Sequence, residues 1–90
     1  MVNTDLLLKN IDSLTDKVVY LGYDGRRVTF NADHVFKTVM RAFQNDAVQS
    51  VSYGCMLAAP VSAPGVFTLS RDGRIKIQTR ESYEKYGAGI

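Results

Sequence analysis

Ninety residues, 46% of them hydrophobic and 22% charged, with a formal net charge of +2, describe a single small globular domain over residues 1–90 and exclude a disordered tail. A chain of this size buries only roughly 60 to 65% of the surface its unfolded form exposes, so a small core is expected. Cys55 is the only cysteine, which excludes an intrachain disulfide and a cysteine-built metal cage, and points to a reducing compartment.

The first residues lack a basic stretch, and no apolar run approaches the roughly 18 residues of a membrane span. The expectation is a cytoplasmic protein with no membrane partner. Leu7, Leu8, Ile11 and Leu14 recur on one stripe of a short helix over residues 3–15. Asn3 or Thr4 caps it, and Asp5 suits its positive first turn. A second helix, over residues 32–44, gathers Val35, Phe36, Val39, Met40 and Phe43 on one face, with Asn31 or Asp33 as its cap. Its other face holds His34, Lys37, Thr38, Arg41 and Gln44.

Between these helices lies Asp24-Gly25-Arg26, and the same tripeptide returns at Asp72-Gly73-Arg74. Asp-Gly between two β-prone runs marks a hairpin, because the glycine takes the positive φ that a tight turn requires. Cross-strand partners share a sheet face, so parity fixes the loop length. A two-residue Asp24-Gly25 turn pairs Tyr23 with Arg26, Leu21 with Val28 and Val19 with Phe30, which makes one apolar face. Tyr20, Gly22, Arg27 and Thr29 take the other.

The same turn at the second site would set Leu69 against Lys76. A three-residue loop, Arg71-Asp72-Gly73, instead pairs Leu69 with Ile75 and Phe67 with Ile77, with Gly73 at the left-handed position of a bulged turn. The hairpins differ in phase, so they are not copies of a repeat. Val51, Tyr53, Cys55 and Leu57 alternate with polar or small residues as a further strand. Residues 58–65 read as a loop, since prolines at 60 and 64 disfavour a central strand. The order becomes α-β-β-α-β-β-β. It is an α+β domain with about five strands, two helices on one face and the other face open. Residues 80–86 supply one helical turn, and residues 87–90 a flexible tail.

Catalytic chemistry finds little to build on. His34 stands alone, without a serine or cysteine motif to serve, and is read as a surface or capping residue. Cys55 shares the apolar parity of its strand and is read as a buried thiol. The nine carboxylates show no Ca²⁺-loop spacing, and the glycine pairs near residues 22 and 87 lack the strand-to-helix setting of a phosphate loop. No catalytic residue, metal or cofactor is assigned.

Two surfaces remain. With Phe67, Leu69, Ile75 and Ile77 turned inward, Thr68, Ser70, Arg74, Lys76, Gln78 and Arg80 turn outward. Arg74, Lys76 and Arg80 then form a positive stripe that Arg27 and Tyr20 join from the first hairpin. Basic side chains beside an aromatic ring suit single-stranded nucleic acid, whereas an exposed strand carries such residues merely to stay soluble. The second surface is the uncharged segment 55–67, in which Met56 and Val61 stand for an apolar interface or a cover over the open sheet. The expectation is a non-enzymatic interaction module of the small regulator or inhibitor type. Its protein partner docks on Arg27, Arg74, Lys76, Arg80, Tyr20, Met56 and Val61, and a homodimer or larger oligomer is expected. The alternatives are a small nucleic-acid-binding protein using the basic stripe, and an oligomeric ligand-binding or sequestering protein with its pocket between subunits.

Overall fold

The computed structural model describes residues 1–22 and 27–90. The first Asp-Gly turn, with Tyr23 and Arg26 beside it, lies outside the described residues. Helix α1 spans Thr4–Asp12 and tightens into a 3₁₀ turn, Ser13–Asp16. Asn3 caps it, its Oδ1 accepting the Leu6 N–H at 3.3 Å. Leu7, Ile11 and Leu14 are fully buried, but Leu8 is 45% exposed. One residue is about 100° of helix, enough to carry Leu8 off the stripe that Leu7 occupies. Helix α2 spans Ala32–Ala42, with Asn31 Oδ1 accepting the His34 N–H at 3.0 Å. Val35, Val39 and Phe43 are buried beneath it, while Phe36 and Met40 pack at the margin.

Five antiparallel strands follow the order β2-β1-β3-β4-β5, with β1 Val18–Leu21, β2 Val28–Thr29, β3 Ser50–Leu57, β4 Pro64–Ser70 and β5 Ile75–Thr79. The domain is a small α+β unit. Its second hairpin has the expected register, Leu69 opposite Ile75 and Phe67 opposite Ile77. The turn closes through Gly73 N–H to Ser70 O at 3.0 Å and Ser70 N–H to Arg74 O at 2.9 Å, with Gly73 at φ +93°. Leu21 pairs with Val28 as the first hairpin's parity requires.

Val19 departs from that parity. A register shift between Val18 and Tyr20 in the β1–β3 ladder makes Val19 the extra residue of a bulge. Val18 therefore enters the core opposite Leu57, Leu21 follows opposite Cys55, and Val19 is 50% exposed. Val28, on the short edge strand, is exposed as well. Pro64 opens β4, a central strand, because the first position of a strand tolerates a missing N–H. The uncharged segment is thus mostly strand. Its loop shrinks to residues 58–63, held by Ala58 N–H to Lys17 O and Leu57 N–H to Ala63 O, both 2.9 Å.

The core lies between the sheet and the α1–α2 layer, where Tyr53 stacks on Phe67 at 5.1 Å and Phe30 meets it edge-on at 6.2 Å. The opposite face, called the back face below, is not open throughout. Residues 80–86 form a complete helix, α3 (Arg80–Tyr86), capped by Thr79 Oγ1 accepting the Ser82 N–H at 3.1 Å. It folds back over β4 and β5. Gln78 Nε2 donates to Ser82 Oγ at 3.2 Å and to the Gly87 carbonyl at 3.1 Å, tying helix and tail to the sheet. Thr68, Ser70 and Gln78, expected in solvent, are buried on that face. Ile90 is half-buried, so the tail runs along the molecule rather than away from it. No helix of the described residues is long and apolar enough to cross a membrane.

Candidate functional site

The back face follows from strand register. One row crosses Thr29, Tyr20, Met56 and Pro64, the next joins Gly54 to Val66 and Gln78, and a third joins Ser52 to Thr68 and Lys76. Helix α3 covers the β4–β5 half of these rows. The β1–β3 half keeps exposed or half-exposed side chains: Tyr20, Thr29, Met56 and Ser52. Where Gly54 supplies no side chain, a groove of about 310 Å³ opens between the strands and α3. Ser52, Gly54 and Val66 line it from the sheet, and Arg80, Tyr83 and Glu84 from the helix. Ser52 Oγ and Thr68 Oγ1 are 2.8 Å apart and hydrogen-bonded, which fixes the floor. The Arg80 Nε donates to Glu84 Oε1 at 3.0 Å across one helical turn, fixing the wall.

Tyr20, Met56 and Arg27 come together on the open half. The Arg27 guanidinium sits 5.1 Å from the Tyr20 ring centroid, and Met56 is the cross-strand neighbour of Tyr20. Arg80 lies in the wall of the groove, on the helix rather than on a strand. Arg74 lies at the far hairpin turn, where its Nε donates to Asp72 Oδ2 at 2.8 Å. Lys76 is half-buried, and a side chain at Gly89 would come within 3.1 Å of its Nζ, so the tail passes beside it. Buried Gln78 separates Lys76 from Arg80. The continuous exposed stripe expected from strand parity is therefore divided into separate charges by α3 and the tail. Val61 lies at the tip of the 58–63 loop, on the helical side of the sheet, beside Leu57, Lys17 and Ile77.

Electrostatics add detail at three residues. The Ser70 hydroxyl donates to the Asp72 carboxylate, which, with Arg74, holds that carboxyl below the ordinary range. Burial pushes the Cys55 thiol up to about 11 and also raises Tyr53. Cys55 is thus a protonated core residue at neutral pH, far from the nucleophilic thiolate range. His34 is exposed on α2, its N–H donating to the Asn31 cap and its carbonyl accepting the Thr38 hydroxyl at 2.8 Å.

Residue-level reading overlooked Ser52, Gly54, Tyr83 and Glu84. The signal for the helical wall was present: Thr79 three residues before Ser82 is a cap spacing, and Arg80 with Glu84 is an i, i+4 ion pair. Comparison with protein-family models, curated proteins and solved structures returns no match for this chain.

Proposed function

We propose that the chain is a non-enzymatic interaction module whose protein partner docks on the open half of the back face. The observation that carries this reading is the groove beside α3, lined by Ser52, Gly54 and Val66 from the sheet and by Tyr83 and Arg80 from the helix, on the same face that gathers Tyr20, Met56 and Arg27. Tyrosine and arginine are the side chains that most often anchor protein interfaces, because each offers a large contact area with a polar end. A glycine floor lets a partner's backbone or inserted side chain approach the sheet closely. The role is that of a small regulator or inhibitor.

The division of the basic stripe favours a protein over nucleic acid. Arg74 is engaged with Asp72, Arg80 with Glu84, and Lys76 lies beside the tail. Affinity capture from a nuclease-treated lysate, comparing the natural chain with Tyr20→Ala and Ser52→Arg, tests the reading. The expected result is a protein retained by the natural chain and lost from both folded variants. Equal recovery by all three, or recovery that nuclease abolishes, defeats it.

A further inference from the structure

We propose that β5 is the contact strand of a homodimer, pairing antiparallel with β5 of a second copy about a two-fold axis at Ile77. The two edges of the sheet are built differently. At one, β2 is two residues long and the adjoining β1 is bulged at Val19, both devices that discourage further pairing. At the other, β5 runs five residues in unbroken register with β4, without proline or bulge. Its one charged side chain, Lys76, projects to the back face rather than along the edge.

The ladder phase shows what this edge offers. Ser70 N–H donates to Arg74 O, so by alternation Arg74, Lys76 and Gln78 bond toward β4. Ile75 and Ile77 then turn their N–H and C=O groups outward, and among the described residues no other element donates to or accepts from them. Their side chains, on the core face, are only half-buried. Beside Ile77 a cleft of about 290 Å³, walled by Leu57, Pro60 and Val61, continues this apolar surface past the strand.

A second copy fits this edge in one register. Placing the axis at Ile77 uses the full strand and sets an outward-bonding residue against itself. Ile75 then faces Thr79 of the second copy, and Lys76 faces Gln78, so no like charges meet within the strand. Moving the axis to Lys76 would still let Ile75 and Ile77 exchange hydrogen bonds across the contact, but it would oppose two ammonium groups directly, and this charge repulsion selects the register centred on Ile77. With the axis at Ile77, the core faces of both sheets align. The neighbour's Ile75 is carried toward the end of β5 where the cleft lies. The contact is separate from the back-face groove and stands whether or not that groove binds a partner.

Light scattering into the high micromolar range and a set of position-77 variants test the proposal. The natural chain is expected to dimerise. Ile77→Lys and Ile77→Glu, each checked for fold by circular dichroism, should weaken association roughly tenfold or more, because the residue faces itself across the axis. An equimolar mixture of the two should restore it. Ile77→Cys covers the case in which a charge at this position prevents folding. Directly opposed, hydrogen-bonded partners lie about 5.5 Å apart at Cα, within disulfide reach, so mild oxidation should link this variant into dimers while the natural chain, with only buried Cys55, stays unlinked. A monomeric natural chain overturns the proposal. So does a dimer that tolerates both charges separately, or one in which Ile77→Cys fails to cross-link.

Discussion

Arg71 ties three parts of the chain together. Its guanidinium donates to the carbonyls of Phe43, Asn45 and Val48 at 3.0, 2.8 and 2.7 Å, and stands 5.2 Å from the Phe43 ring centroid. Its own carbonyl accepts the Asn3 N–H at 3.1 Å, fastening the start of α1 to the hairpin. A lysine keeps the charge but not the planar fork, so Arg71→Lys is expected to cost about 2 kcal/mol in urea unfolding. Nothing in the sequence marks this role, because the accepting carbonyls lie 23 to 28 residues away and belong to a loop with no motif. Gly73 is the opposite case. Parity alone places it at positive φ, and the structure adds that a Cβ there would meet Leu6 Cβ at 2.9 Å. Gly73→Val should therefore lose about 1 to 3 kcal/mol, read as a fall in Tm of several degrees. Cys55 makes a prediction in pH. Its folded thiol titrates near 11, above its ordinary value of 9, so between these values the unfolded chain releases a proton that the folded chain keeps. Its contribution is intact below pH 9 and lost as pH rises through about 11. Urea unfolding across that range should show stability falling, with a shallower fall in Cys55→Ala.

At the scale of elements, helices and hairpin register were legible wherever one residue's position followed from local periodicity. The caps Asn3 and Asn31, the stripe of Leu7, Ile11 and Leu14, and the pairing of Leu69 with Ile75 all come from spacing of a few residues. Two features did not. The Val19 bulge depends on how β1 meets β3, a strand 30 or more residues distant, and the apolar run Val18-Val19-Tyr20-Leu21 leaves the parity open. Helix α3 buries no residue of its own fully, so it has no apolar stripe to read. Its attachment rests on Gln78. Gln78→Ala removes the donor to Ser82 and Gly87 and should cost about 1 to 2 kcal/mol, with amide exchange over residues 80–90 accelerating more than in the core. Equal acceleration in β3 and β4 would show instead that α3 unfolds only with the whole domain.

At the scale of the molecule, the candidate surface is a product of what α3 leaves uncovered. Strand parity puts Tyr20 and Arg27 on one face, but sequence reading assigns Met56 to a separate surface, because the pairing of β1 with β3 that sets it beside Tyr20 is non-local, and it treats the back face as one open sheet. A short helix returning over β4 and β5 changed the meaning of every basic residue placed there. Arg74, Lys76 and Arg80 on a bare strand would form a phosphate track with counterions to release, whereas here two of the three already face carboxylates. Exposed pairs of this kind hold little free energy, so they do not forbid nucleic-acid binding by themselves. They do reduce the charge that a phosphate backbone would meet. Titration of a labelled single-stranded oligonucleotide at increasing salt decides between the readings. For a three-contact track, replacing Arg74, Lys76 and Arg80 with alanine should flatten the slope of log affinity against log salt by about 2 units, at roughly 0.7 per phosphate on a single strand. The expected outcome is weak binding and a change well below one unit. Tight binding whose salt slope collapses in the triple variant would replace the protein-docking reading with a nucleic-acid one.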